Sequence, residues 1–477
     1  MNLLTLLPPR TPRSVRAPRS VHAWPTYALR IIVALTVASW LGPVAAMDES
    51  APQRRPVKTV APERLKIKTA LGEALVPAYA SGDLSKVQPQ IKRAVIVVHG
   101  RLRDADKYFD LSMRAAKASN ALTDTLVIAP QILINADTAR NDLGPSLARW
   151  KSEAWLGGDV GKAPFAISSF EVLDGMIALL SDRTRFPNLE RIVVAAHSGG
   201  AQFVQRYAVV GRADQVLAGA GLQPYADGLE AGAATVAGMG SGSGAGAVKS
   251  NVMRVRYVVA NPSSYVYFDS TRPKPVEKCA EFDHWRYGWV EPVAYVRGDA
   301  KAMEQRYLTR RVIYLSGGSD TDPNHAAIDK SCMAETQGAN RLERGVHYFA
   351  HVQKRAKLYG TALRHTRIEV PGVAHDADRM FNSVCGMSAL FDAPGCELKL
   401  GESSVAPSGA ALSAASGAAL SPPSGAALFS LPQTTISATG SASASGPATG
   451  FATGSATPAG AARLPALAAP PHSSAKP

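Results

Sequence analysis

The stretch Arg191-Ile192-Val193-Val194-Ala195-Ala196-His197-Ser198-Gly199-Gly200 decides how this chain is read. Its β-branched run has the composition of a buried strand, and the segment after Gly200 has that of a helix. Between them stands a serine flanked by small residues, the arrangement that presents a nucleophile on a sharp turn from strand to helix. The turn needs a small residue two positions before the serine and another two after it, because bulkier side chains would strike the neighbouring strand and helix. Ala196 and Gly200 occupy those places. Glycine is usual at the first of them, so Ala196 is a small departure.

Working outward, strand-like and helix-like segments alternate. Arg93–Val98 is a continuous apolar run, as expected of a strand covered on both faces. Tyr108–Lys117 reads as helix and Thr125–Ala129 as a strand ended by Pro130. Ser168 and Glu171 have capping-box spacing at the start of a helix that runs to about Leu180. Arg254–Ala260 and Arg311–Leu315 are further strands, Asn340–Leu358 a helix and Thr366–Val370 a last strand. This alternation predicts an α/β fold with a mostly parallel, doubly wound sheet, and ligands at the carboxyl ends of its strands.

The chemically useful groups fall just past those ends. His99-Gly100 follows the strand at 93–98, Ser198 follows 191–196, Asp320 follows 311–315 and His375 follows 366–370. Asp322 stands two residues beyond Asp320 as an alternative acid; the Gly317-x-x-Asp320 spacing favours the first, leaving the other to brace the loop. His99 reads as a loop brace rather than a second base. A rival constellation, His347 and His351 at the i,i+4 spacing of zinc peptidases, has Tyr348 where such sites carry the glutamate base, so no metal is expected.

Four pieces in this order make the chain similar to the α/β-hydrolase superfamily, and more narrowly to its secreted bacterial serine hydrolases of esterase type. They are Val97-Val98-His99-Gly100, Ala196-His197-Ser198-Gly199-Gly200, Gly317-Gly318-Ser319-Asp320 and Gly372-Val373-Ala374-His375. The resemblance implies Ser198 as nucleophile, His375 as its base and Asp320 (alternatively Asp322) as the acid that orients the histidine. It also implies an oxyanion hole made by the backbone N–H groups of Gly199 and Arg101, and cleavage of a carboxylic ester. An amidase, a peptidase or a polymer depolymerase would use the same triad, and a binding protein that keeps the fold without turnover is a further reading. His197, Tyr265 and Trp150 are candidate substrate-binding residues; core packing is an equal claim on such aromatics.

The rest of the sequence bounds the setting. Residues 1–46 hold five arginines and no acid, then the apolar run Ile31–Trp40 and Pro43-Val44-Ala45-Ala46, the pattern of a signal peptide cleaved after Ala46. The alternative is an uncleaved inner-membrane anchor, for which the run is short of the ~20 residues a spanning helix needs. Residues 47–400 are then the catalytic domain, with a flexible Gly/Ala-rich insertion at about 232–246. Residues 401–477, nearly all Ala, Ser, Gly, Pro and Thr, read as a disordered tail. Export to the periplasm or medium follows, with no stable membrane insertion after cleavage. Four cysteines in an oxidising compartment suggest two disulfides; of three pairings, the local Cys385–Cys396 is favoured, leaving Cys279–Cys332. The net charge of +14 is scattered and mixed in sign, with no basic block interleaved with aromatics, so nucleic acid is not an expected partner. A small-molecule or polymeric ester or amide is. No nucleotide loop occurs, so no cofactor is expected.

Overall fold

Arg93–Val98 shows how the chain builds its core. Ala94, Ile96 and Val98 join one buried cluster, while Val95 and Val97 join the other, on the opposite face of the sheet. The same two-residue alternation runs through Arg191–His197, where Ile192, Val194 and Ala196 face one way and Val193 and Ala195 the other. Period-two side chains that are apolar on both faces demand cover on both faces. The helices Ser169–Leu180, Gly199–Val210 and Arg341–Leu358 supply it on one side; Ala105–Ala118 and Val384–Phe391 supply it on the other.

The computed structural model describes residues 51–69, 72–162, 166–225 and 251–406. The expected signal segment 1–46, the expected insertion at 232–246 and the expected tail beyond 406 lie outside the described residues. In chain order the strands are β1 (Glu63–Thr69), β2 (Gly72–Ala80), β3 (Arg93–Val98), β4 (Thr125–Pro130), β5 (Leu133–Ile134) and β6 (Arg149–Trp150), then β7 (Arg191–His197), β8 (Gln223–Tyr225), β9 (Val252–Ala260), β10 (Arg311–Gly317), β11 (His365–Val370) and β12 (Ser403–Val405). The main sheet runs β1-β2-β4-β3-β7-β9-β10-β11-β12, with β8 beside β9 and the short β5–β6 pair apart. β1, β2 and β4 pair antiparallel in turn, and every other pair in the sheet is parallel. The expected doubly wound, mostly parallel sheet is present.

The segments read from the sequence form within a few residues of their expected bounds. The capping box is made: Phe170 N–H donates to Ser168 Oγ at 3.1 Å, and Ser168 N–H to Glu171 Oε2 at 2.7 Å. The β1–β2 hairpin and β12 are among the elements that were not anticipated. The β1–β2 hairpin carries its signal in β1, where Leu65 and Ile67 are buried and Arg64, Lys66 and Lys68 are exposed. β12 lies inside the stretch assigned by composition to the tail, so ordered structure continues past residue 400 to at least Ala406. No helix among the described residues is long and apolar enough to cross a membrane.

Both favoured cysteine pairs are bonded: Cys279 with Cys332, closing 53 residues, and Cys385 with Cys396, closing 11. On loop-closure entropy the longer loop is worth about 4 kcal/mol and the shorter about 3. Removing Cys279–Cys332 by paired Cys→Ser substitution is therefore expected to cost about 1 kcal/mol more than removing Cys385–Cys396. Urea unfolding of the two double variants checks the order, and equal or reversed losses would show that strain or residual structure outweighs chain entropy.

Candidate active site

β7 ends at His197, the helix Gly199–Val210 begins at Gly199, and Ser198 makes the whole turn between them. Its backbone sits at φ 60°, ψ −126°, a conformation that an L-residue keeps only when its surroundings force it. The forcing is visible. Ser198 N–H donates to Ala260 O on β9 at 2.9 Å. At Gly200 an added Cβ would lie 2.3 Å from His99 O, 2.8 Å from Val98 O and 3.1 Å from the Ala196 Cβ. The helix therefore rests directly on the backbone that ends β3. The last distance also accounts for Ala196: one methyl fits between the two positions when Gly200 brings none.

That contact carries the β3 loop to the serine. A Cβ on Gly199 would fall 3.3 Å from Arg101 N, so the two residues whose backbone amides the resemblance names pack against each other. Among the described residues neither N–H has a hydrogen-bond acceptor within the chain. His99, fully buried, braces this loop as expected. Its Nε2 accepts from Ile132 N–H at 2.9 Å, which leaves Nδ1 to donate to Gly100 O at 2.8 Å. Burial pushes this imidazole down to about 4, so it holds the loop as a neutral ring.

A serine on a parallel sheet's central strand, in a left-handed turn opening a helix, with the antiparallel β2 near the sheet edge, defines the architecture. The fold is that of an α/β-hydrolase. No family model matches the chain, and no curated protein matches it. Solved structures similar to it include poly(aspartic acid) hydrolase-1 from Sphingomonas sp. KT-1, at 20% identity and TM-score 0.45, covering 71% of this chain and 99% of that one. Another is the LpqC poly(3-hydroxybutyrate) depolymerase from Bordetella parapertussis, at 19% and 0.44, covering 70% and 92%. A third is the siderophore hydrolase EstB from Aspergillus nidulans, at 13% and 0.34, covering 71% and 98%.

Within this hydrolase fold the loops after β10 and β11 bring two more groups to the serine. His375 Nε2 lies 2.8 Å from Ser198 Oγ, and His375 Nδ1 lies 2.9 Å from Asp320 Oδ2. The loops are laced together. Gly318 N–H donates to Val370 O, and Ser319 N–H to Val373 O, both at 2.9 Å. A Cβ on Gly317 would meet Val373 O at 2.4 Å, so only glycine permits the approach. Asn261, just past β9, joins them from a third side, accepting from Gly317 N–H at 2.7 Å and donating to Ala374 O at 3.1 Å.

Behind Asp320 lies a residue that the sequence reading missed. Arg341, buried, donates from a terminal guanidinium nitrogen to Asp320 Oδ1 at 3.1 Å and from Nε to Ser263 Oγ at 2.9 Å. Burial alone would raise the Asp320 carboxyl, but hydrogen bonds and charge from His375 and Arg341 outweigh it and hold the group below its ordinary value. Burial likewise lowers His375; the Asp320 hydrogen bond pulls it back up, and the Arg341 charge pushes it down again. The signal was there: Arg341 opens the helix Arg341–Leu358, where the helix dipole disfavours a cation.

Other sequence candidates separate here. His197 lines the cavity beside Ser198, its ring 4.5 Å from that of His375. Asp322 is exposed and accepts from Asn324 N–H at 2.8 Å in a local turn. Tyr265 lies inside the core, stacked on Tyr348 at 4.3 Å, and Trp150 is wholly buried with its indole N–H on Asp159 O. Neither lines the cavity at Ser198. Both are claimed by the core, Trp150 from β6 and Tyr265 from the loop after β9. His347 bonds Gln337 O and His351 accepts from Phe268 N–H, so this pair serves the backbone.

These fields give a measurable expectation. By histidine NMR, His375 should titrate below the ordinary 6.5. In Arg341→Met the opposing cation is gone and the imidazolium is easier to form, so the midpoint should rise. A midpoint at or above 6.5 in the unsubstituted protein, or no upward movement in the variant, would refute this electrostatic account.

Proposed function

We propose that the chain is a serine hydrolase that cleaves a carboxylic ester through an acyl-enzyme. Ser198 is the nucleophile, His375 the base, Asp320 the carboxylate that orients it, and the N–H groups of Gly199 and Arg101 the oxyanion donors. The observation that carries this reading is the unbroken relay Ser198 Oγ–His375 Nε2–Asp320 at 2.8 and 2.9 Å, set beside two unpaired amides.

In the first step Ser198 Oγ attacks the ester carbonyl as His375 Nε2 takes its proton. The carbonyl oxygen gains negative charge and moves between the two amides. Collapse of the tetrahedral species breaks the bond to the alcohol, which leaves with the proton from His375. Water then attacks the acyl-serine under the same base, and the carboxylic acid is released. Asp320 stays ionised throughout, fixing the tautomer with Nδ1–H and stabilising the imidazolium. Losing one oxyanion donor in such a site typically costs ~3 kcal/mol. The adjoining cavity, about 650 Å³, is of the size that takes small molecules. Two disulfides suit an oxidising compartment, so export is part of the proposal.

The full chain should hydrolyse p-nitrophenyl esters, and Ser198→Ala should lower kcat at least ~1,000-fold. His375→Ala should cost about as much, and the double variant little more, because the two act as one unit. A fluorophosphonate should label Ser198. Cleavage of matching anilides at comparable rates would move the reading to an amidase or peptidase. Neither cleavage nor labelling would leave a binding protein on a hydrolase fold.

A further inference from the structure

The stretch preceding β1 is fastened in a way that ordinary loop packing does not require. From Gln53 to Ala61 every second residue is hydrogen-bonded through its backbone to a side chain of the domain. Gln53 O accepts from Arg103 at 2.6 Å and Arg55 O from Arg103 at 2.7 Å. Val57 N–H donates to Asp137 Oδ1 at 2.8 Å. Thr59 O accepts from Gln131 Nε2 at 3.0 Å, and Ala61 N–H donates to Gln131 Oε1 at 2.9 Å. Three side chains, Arg103, Asp137 and Gln131, all buried, thus hold a segment that begins with the single 3-10 turn Pro52–Arg54 and runs on without regular structure to β1. At its start, Pro52 and Gln53 line the cavity that contains Ser198 and His375.

Arg103 joins this segment to the chemistry. It stands two residues after Arg101, at φ 60°, and all five of its N–H donors are used. Two go to Asp137, at 2.7 and 3.0 Å, and two to the carbonyls of Gln53 and Arg55. The fifth goes to Arg101 O at 3.0 Å. Its own carbonyl is held by Gln131 Nε2 at 2.9 Å, and its N–H by Gly100 O at 3.1 Å. One guanidinium therefore grips both the segment and the peptide plane beside the amide at Arg101.

We propose that Pro52 and Gln53 are a fixed wall of the substrate cleft that sets how large an ester is accepted, and that Arg103, which fastens this wall, is also a positioning residue holding the Arg101 amide. The proposal rests on the reading of Ser198 as nucleophile. A planar five-donor fork is what the position demands: lysine keeps the charge but can serve only three acceptors. With the fork broken, Arg101 N–H loses its fixed aim, which matters when the oxyanion forms and little when substrate merely binds.

Full-chain protein, Arg103→Lys, Arg103→Gln and Gln53→Trp should be compared on p-nitrophenyl esters graded in acyl length and on acetate esters graded in alcohol size, with thermal unfolding as a check. Arg103→Gln should lose at least ~30-fold in kcat with KM within ~3-fold, and its fluorophosphonate labelling should slow in parallel. Arg103→Lys should fall between it and the unsubstituted protein. Gln53→Trp narrows the cleft, so the ratio of kcat/KM for long over short esters should drop at least ~5-fold in one series. Unchanged kcat in a folded Arg103 variant, or unchanged ratios in both series for Gln53→Trp, overturns the proposal while leaving the hydrolase reading intact. If the Arg103 variants do not fold, Gln53→Trp alone decides it. An unsubstituted protein that neither turns over nor takes the label removes both readings together.

Discussion

The contact between Gly200 and the carbonyls of Val98 and His99 is where the architecture of this protein becomes a site. A helix axis cannot come so close to a strand's backbone if any Cβ intervenes, and here none does. Because the helix sits that low, the residue linking it to β7 has no room for an ordinary turn and takes the left-handed conformation found at Ser198. The same closeness sets the end of β3 beside the start of the helix, so Arg101 packs against Gly199. The turn at Ser198 and the nearness of Arg101 to Gly199 are thus consequences of one packing distance. The aromatic edge of Trp155 against His99, at 5.1 Å, supports the loop from beneath.

Around that contact the protein places two buried ion pairs, Arg103–Asp137 and Arg341–Asp320. Buried pairs are poor sources of net stability, since desolvating both partners offsets most of the attraction, while losing one partner costs about 3–5 kcal/mol. Their use here is geometric. Each guanidinium has more donors than its carboxylate can accept, and the surplus goes to neighbouring groups: Ser263 in one case, three backbone carbonyls in the other. Segments distant in sequence become fixed relative to one another without a shared strand or helix.

The sheet was legible in the sequence because its central strands are covered on both faces, which leaves unbroken apolar runs such as 93–98 and 191–196. The loops were legible in part. Ser198, Asp320 and His375 could be named because each follows a readable strand and has a chemically distinctive side chain, and the structure brings these three together. The aromatics could not be sorted: Tyr265 and Trp150 have the same composition of neighbours whether the chain there faces the cavity or the core. Arg341, Arg103 and Asn261 were invisible for a different reason. Their partners lie in other segments, 21 residues away for Arg341, 34 for Arg103 and 113 for Asn261, and no local pattern announces such a bond. Only the oddity of an arginine at a helix start hinted at the first.

β12 ends the sheet. Its three residues and their two neighbours cover the outer backbone of β11, with Arg367 N–H on Glu402 O at 3.0 Å and Ala406 N–H on Glu369 O at 2.7 Å. A change in composition near residue 400 invites a cut there, yet such a cut would strip this cover and leave a parallel strand with an open row of donors and acceptors. Open edges recruit other strands. The first few residues of what composition marks as a disordered tail thus cover an edge that would otherwise favour self-association, and a shortened chain ending at 400 would be prone to aggregate for reasons unrelated to Ser198, Asp320 or His375.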